Sequence, residues 1–519
     1  MKKIYLIATV LLAFLLQGCT NLHEEILNEQ DNSSLISNPS NAAMVAAPAY
    51  AALRDLMSDG GSWKVTECCT DEAIFPTRGS DWNDVNNRTL FWHTYDATNT
   101  VVRNTWNGLM QHVTSCNVAL NYLGNMKQTD DVKEYMNEVT VLRSLFMYYL
   151  MDYYGHFPFR EASETDYSSK PIILSRVDAL ARIIKDLQTV IPNLKEKGAV
   201  PYGRVTKATA QTILAHVYLN YQVFTGKAPA FTDGESKWDE VISLCDDIIK
   251  SGKYQLADDY WKMFLSDNAD YCDKTEGILP IIYDQATDTG GSNWLNMALH
   301  YSMTFNNFKS FWNGCCTTPT FVDSWDPSDP RYTSDRLKSQ IGFNIGIIGG
   351  QQYSVAGEKL KTRQGKDLNF TKEFSVDNAT EEQGYRVVKF APNPDYQWGS
   401  GSDNDVMFYR YSDIYLMRGE AKFRKGNDIA GAVEDINAVR KARGVKEYTS
   451  SSLTLDSFYK ERGYEFYWEG MARRDDMVRF NHYCEARYNV EETPAYKILF
   501  PIPQTALEAN SDLQQNEGY

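Results

Sequence analysis

YSDIYLMRGEAKFRKGNDIAGAVEDINAV, residues Tyr411 to Val439, decides the fold class. Ile414, Met417 and Ala421 recur at steps of three and four, the period of one face of an α-helix. Gly426-Asn427-Asp428 then interrupts the pattern, and Ile429, Ala432, Val433 and Ile436 resume it. A glycine closes one helix and an acid or amide opens the next, so the stretch predicts helix, short break, helix. Gly419, Ala421 and Ala432 are small residues placed where two such helices must approach.

The same period appears upstream. Val139, Leu142, Phe146, Tyr149, Leu150 and Tyr153 form one helical face that ends at Gly155. Ala210, Ile213, Leu214, Val217, Tyr218 and Tyr221 form another, with Thr206 as its N-cap. Ser236-Lys237-Trp238-Asp239 has the form of a capping box and leads into Trp238, Val241, Ile242, Cys245, Ile248 and Ile249, closed by Gly252. These units read as tetratricopeptide-like helix pairs, with ordinary helix hairpins as the alternative on spacing alone. Residues 255–335 and 340–405 differ: they are rich in Gly, Asn, Asp, Pro and aromatics, and GYRVVKFAP (Gly384 to Pro392) reads as a short strand. Long irregular segments that keep their aromatics are functional rather than disordered. The expected fold is therefore mainly α, with helix pairs scaffolding a loop-rich, irregular lobe with short strands.

The N-terminus predicts a destination. Lys2-Lys3 precede an apolar run from Ile4 to Leu16, too short to span a bilayer, and Leu16-Gln17-Gly18-Cys19 follows. Residues 1–18 read as a signal peptide, with Cys19 as the lipidated first residue of the mature chain. Residues 19–40 form a polar tether, 41–254 an N-terminal helical part, and 255–519 a C-terminal part holding the loop-rich lobe. The net charge of −16 argues against nucleic acid as a partner. Eight cysteines follow Cys19 without a CxxC pair, so zinc has little support. Cys68-Cys69 and Cys315-Cys316 are placed to pair across loops in an oxidising compartment, while Cys245 reads as a small buried hydrophobe.

Nucleophile elbows, metalloprotease helices and phosphate-binding loops are absent, and no cofactor or metal is expected. The most enzyme-like feature is Glu461, Glu465 and Glu469, steps of four on one helix face. Paired carboxylates suit a glycoside hydrolase. The neighbouring Arg462, Arg473, Arg474 and Arg479 suit a structural ion-pair network instead, which is the preferred reading. A different chemistry is written in TDEAIFPTRGSDW, Thr70 to Trp82. Its Pro and Gly exclude a helix, and a loop holding Asp71, Arg78, Asp81 and Trp82 is equipped to bond hydroxyls and stack on a sugar ring. Trp294, Trp312 and Trp398 lie in similar Gly/Ser/Asn/Asp contexts, outside helical periods.

Several stretches together resemble one family. TDEAIFPTRGSDW, LRSLFMYYLMDYYGHFPF from Leu142, GRVTKATAQTILAHVYLN from Gly203, FYRYSDIYLMRGEAKFRKGN from Phe408, the ERxxEFxxEG run from Glu461 and the C-terminal LFPIPQTALEANSDLQQNEGY are similar to blocks of the SusD/RagB family of outer-membrane nutrient-uptake lipoproteins. The resemblance implies binding without catalysis. It implies a lipid-anchored protein facing the cell exterior, which takes oligo- or polysaccharide and passes it to a SusC-like TonB-dependent transporter. Some relatives serve peptides, so a peptide-binding lid is the alternative. It also implies an aromatic arc over the glycan at the places held here by Trp82, Trp294 and Trp312, with Arg78, Asp81 and Asp71 as polar partners.

Overall fold

The computed structural model describes residues 32–58, 60–166, 168–284, 297–306, 311–395, 403–470 and 472–519. Cys19, Trp294 and Trp398 lie outside the described residues. The longer helices, labelled in chain order, are α1 (Ala42–Ala51), α2 (Thr100–Asn125), α3 (Asp130–Tyr154), α4 (Arg176–Val190), α5 (Lys207–Leu219), α6 (Trp238–Lys250), α7 (Tyr411–Lys425), α8 (Ile429–Ala442), α9 (Leu455–Phe466) and α10 (Arg473–Arg479). From α2 to α8 each packs on the next, and α1 lies against α2 and α3. The main apolar core draws on residues from Ala42 to Leu513, and a smaller cluster gathers Ile74, Phe91, Cys316, Phe374, Val376, Ala379 and Val490.

Local chemistry explains the helix ends. Gly155 closes α3 at φ +77°, and Gly426 closes α7 at φ +76°, conformations that cost a glycine least. The Asp428 carboxylate then accepts the Gly431 N–H and opens α8. Thr206 and Thr209 form a reciprocal capping box on α5. The expected box at Ser236 does not form. The Glu235 N–H donates to Thr225 Oγ1, and α6 starts at Trp238 without a side-chain cap.

Gly419 on α7 marks a close approach to α8 and α9. A Cβ there would stand 2.9 Å from the Phe458 ring and 3.0 Å from Asp435 Cβ. Gly419→Val is expected to lower stability by about 1–3 kcal/mol through overpacking, read as a lower urea midpoint at unchanged slope. An unchanged midpoint would show that the helices can separate at no cost.

The remaining strands build the irregular lobe. β1 (Phe157–Phe159) pairs with β2 (Ile172–Leu174) beside α3 and α4. β3 (Gly277–Ile281) pairs antiparallel with β9 (Val406–Arg410), and the pair is buried. β4 (Thr333–Ser334), β5 (Ile345–Ile348) and β8 (Arg386–Val388) form an antiparallel three-stranded sheet. β8 lies within the GYRVVKFAP stretch. β6 (Gly350–Gln351) pairs with β7 (Asn369–Phe370).

Candidate functional site

The loop Thr70–Trp82 is pinned to the irregular lobe at two points. Ile74 and Cys316 exchange both backbone hydrogen bonds at 2.9 Å, and Thr77 does so with Val376 and Ala379 at 2.9 and 2.8 Å. The chain then reverses between Arg78 and Asp81, whose N–H and C=O groups pair at 2.8 and 3.0 Å, with Gly79 at φ +64°. Trp82 itself sits at φ +57°, a conformation that a bulky residue adopts only when its surroundings enforce it. Here the enforcement is visible. The Trp82 indole N–H donates to the Trp312 carbonyl at 2.9 Å, and its ring lies 4.9 Å from Phe75 and 6.4 Å from Trp312. Gly314 passes so close that a Cβ would stand 2.3 Å from the indole. The two tryptophans form a half-buried ledge.

Beside this ledge lies a polar cluster. Asp81 Oδ2 accepts from the Tyr301 hydroxyl and from Arg363 Nη2, both at 2.8 Å. The hydrogen bonds from Tyr301 and Arg363 hold the Asp81 carboxyl below its ordinary range. The guanidinium of Arg363 stands 4.3 Å over the Tyr301 ring and bonds Glu381 through Nε at 2.5 Å. His300 Nε2 contacts Glu381 at 3.0 Å. Burial lowers the His300 pKa to about 4, so the ring is neutral at pH 7. Its Nδ1 accepts the Ser302 N–H, which leaves Nε2–H to donate to Glu381. Arg363 is half exposed, so the cluster presents a guanidinium, a carboxylate and a phenol to solvent.

Of the residues singled out in the sequence, Trp82, Trp312 and Asp81 share this surface, and two others turn inward. Arg78 is buried, and its guanidinium donates to the Thr380 and Gly314 carbonyls. Its role is to hold the loop. Asp71, read as a polar ligand partner, is 6% exposed. Arg473 grips its two oxygens at 2.7 and 2.6 Å. Burial alone would raise the Asp71 pKa; Arg473 more than offsets it and holds the carboxyl low. Next to this pair, burial pushes Glu67 up to about 7, and burial together with the Glu67 charge pushes Glu72 well above the ordinary carboxylate range. Tyr301, Arg363, Glu381 and His300 were not found by sequence reasoning. Arg363 and Asp81 are 282 positions apart, and no periodicity links them.

The carboxylate row is a buried ion-pair network, but not with the expected partners. α9 ends at Phe466, so Glu469 lies beyond the helix that carries Glu461 and Glu465. Glu465 accepts from Arg443 and Arg410 at 2.7 and 2.8 Å and from Arg331 at 3.0 Å. Glu461 pairs with Arg331 and Arg440, and Glu469 with Arg410 and Lys389. The adjacent arginines serve elsewhere: Arg462 holds Asp413 and Asp476, Arg474 holds Asp152, and Arg479 holds Glu420 and Asp476. The eight cysteines from Cys68 onward are free thiols, and all but Cys484 are buried. Cys245 lies on the buried face of α6 as expected. Among the described residues, no group of three or more His, Cys, Asp or Glu could hold a metal ion, and no helix is long and apolar enough to cross a membrane.

Comparisons with known proteins agree with this architecture. Residues 275–495 match the model of the SusD family, and residues 27–219 match a model described as starch-binding associating with outer membrane. The starch-binding protein SusD of Bacteroides thetaiotaomicron is 25% identical over 458 residues, which cover 78% of this chain and 76% of that protein. A SusD superfamily protein from Parabacteroides distasonis superposes with a TM-score of 0.71 at 20% identity, covering 92% of this chain and 99% of its own. Surface glycan-binding protein A of B. thetaiotaomicron, solved with laminarihexaose, superposes at 0.66 and 20% identity over 92% of this chain and 99% of its own. With both halves matched by models of one family and the mainly helical fold shared, the chain belongs to the SusD/RagB family.

Proposed function

We propose that this protein binds an oligo- or polysaccharide on the outer face of the outer membrane and hands it to a SusC-like TonB-dependent transporter, itself anchored by lipid on Cys19. The observation that carries the reading is the Trp82–Trp312 ledge beside the Asp81–Arg363–Tyr301 cluster. Flat indoles offer faces for the C–H side of a sugar, and a fixed carboxylate, guanidinium and phenol offer partners for its hydroxyls. The related SusD protein is described as starch-binding, and the related surface protein was solved with laminarihexaose. Both support a glycan over a peptide. The leader ending in LLQGC supports the anchor, as does the outer-membrane association in the matched family description. Binding without hydrolysis fits the carboxylate row, whose members are occupied by guanidinium and ammonium groups.

The test is calorimetry on the soluble chain from residue 20, titrated with starch, laminarin, other plant and host glycans and a peptide digest, with products checked for cleavage. Binding to one glycan class without cleavage is expected. Trp82→Ala and Trp312→Ala are each expected to weaken it about five- to tenfold, a ring contact being worth about 1 kcal/mol. Full affinity in both variants, or binding to peptides alone, would overturn the reading.

A further inference from the structure

The irregular lobe has a second concavity that shares no lining residue with the tryptophan ledge. The chain from Gly342 to Tyr353, together with Tyr332 and Tyr385, encloses a cleft of about 440 Å³. That is within the size range of small-molecule sites. The cleft is built on fixed elements: Thr333 belongs to β4, Ile347 and Ile348 to β5, and Tyr385 directly precedes β8. Gly349 lies flat on the Tyr385 ring, where a Cβ would stand 2.4 Å from Cζ. Burial and the nearby Tyr385 push the Tyr332 phenol up to about 12, so it keeps its proton at neutral pH.

The polar inventory selects a ligand. The hydroxyls of Tyr332, Tyr353 and Tyr385 make no hydrogen bond to a described residue, whereas the buried phenols of Tyr154, Tyr260 and Tyr467 each donate to a backbone carbonyl. Asn344 reaches Thr333 Oγ1 only at 3.4 Å through Nδ2, and its Oδ1 has no partner among the described residues. In a chain with 68 acidic residues, no carboxylate among the described residues lines this cleft, and Lys338, its one charged lining residue among them, has no ion pair with a described residue. Rings, free hydroxyls and a free amide without an acid suit an uncharged, hydroxyl-rich ligand with apolar faces. They do not suit a cationic one.

We propose that this cleft is a second carbohydrate-binding site, which takes a further stretch of the same glycan chain that lies on the tryptophan ledge. The proposal rests on the glycan reading above. The two sites are held in one frame: Arg386, next to Tyr385, donates to Asn313 Oδ1 and to the Glu381 carbonyl, the segments that carry the ledge and its polar cluster. A polymer that engages both binds more tightly than a short oligosaccharide, because its second contact is intramolecular.

The experiment uses the soluble chain, the double variant Tyr353→Ala/Asn344→Ala, Tyr385→Phe (which keeps the ring), Trp82→Ala and Trp312→Ala. Each is checked for an unchanged melting curve. The probes are maltotriose and laminaritriose by calorimetry, and starch and laminarin by retardation in glycan-containing gels. The wild type is expected to take two trisaccharides per chain and the double variant one, with polymer affinity lower by at least about tenfold. Tyr385→Phe is expected to fall between them. One trisaccharide per chain in the wild type, or a double variant with wild-type polymer retention, overturns the second site and leaves the ledge standing. Loss in the double variant with none in either Trp82→Ala or Trp312→Ala supports the cleft and overturns the ledge. No binding of any of these probes to the wild type overturns the second site and leaves the ledge to the wider glycan panel.

Discussion

Glu465→Ala is expected to lower the unfolding free energy by about 3–5 kcal/mol, the cost of leaving a buried charge without its partner. Glu465 is fully buried between Arg331, Arg410 and Arg443, which are buried as well. Burial alone would raise its pKa, yet Arg443 and Arg410 hold it well below the ordinary range. The surrounding charges are matched: with Arg440 and Lys389 the network holds five cations, and Glu276, Asp329, Glu461 and Glu469 are the four carboxylates that face them besides Glu465. No neighbour is free to take over when Glu465 is removed, and one positive charge stays in the core. The network joins α9, the start of α7, the end of α8 and the segments around Glu276 and Arg331, so its failure loosens both the helical array and the lobe. Equilibrium urea unfolding checks this. A folded Glu465→Ala of wild-type stability that had lost a glycan-cleaving activity would instead make Glu465 a catalytic acid or base.

This network also shows where sequence reading stops. Helix pairs were legible because a helix repeats every 3.6 residues, so its signal lies within one window; Gly155, Thr206 and Gly426 end or cap their helices as expected. The ion-pair character of the carboxylate row was legible too, since buried acids need cations. Its pairing was not. Glu465 meets Arg331 from 134 positions away, while Arg462, its near neighbour, points to Asp413 and Asp476. The ledge behaves in the same way. Trp82 was visible as an aromatic in a loop, but its partner Trp312 lies 230 positions on, and Tyr301 lies 220 from Asp81. Loop contacts of this span have no period, and which of two nearby acids faces solvent depends on a partner that only the fold supplies.

Asp71 and Asp81 make that last point testable, and opposite results are expected from the two. Asp71→Ala is expected to cost about 3 kcal/mol of stability, by stranding the buried Arg473, while the folded protein keeps its glycan affinity. The loss sits toward the low end of that range because a substitute is at hand. Glu72 lies 3.4 Å from Arg473, and its raised pKa owes part of its rise to Asp71. With Asp71 gone, Glu72 loses one of the negative charges that raise its pKa, so it ionises more readily and gives Arg473 a carboxylate. The depressed pKa of Asp71 fixes the pH window: its contribution is complete above about pH 4, the ordinary value, and is lost as pH falls through the lower folded value. The difference between wild type and Asp71→Ala should therefore shrink in acid. Asp81→Ala is expected to do the reverse. Its side chain is 34% exposed, so its salt bridge to Arg363 adds little to stability, and the melting curve should not move. Glycan affinity should fall several-fold, because Tyr301 and Arg363 lose the oxygen that orients both. Chemical unfolding and calorimetry on the two variants decide the matter. Wild-type stability with lost binding in Asp71→Ala would place that carboxylate on the ligand, and would overturn the division of the loop into a buried root and a binding edge.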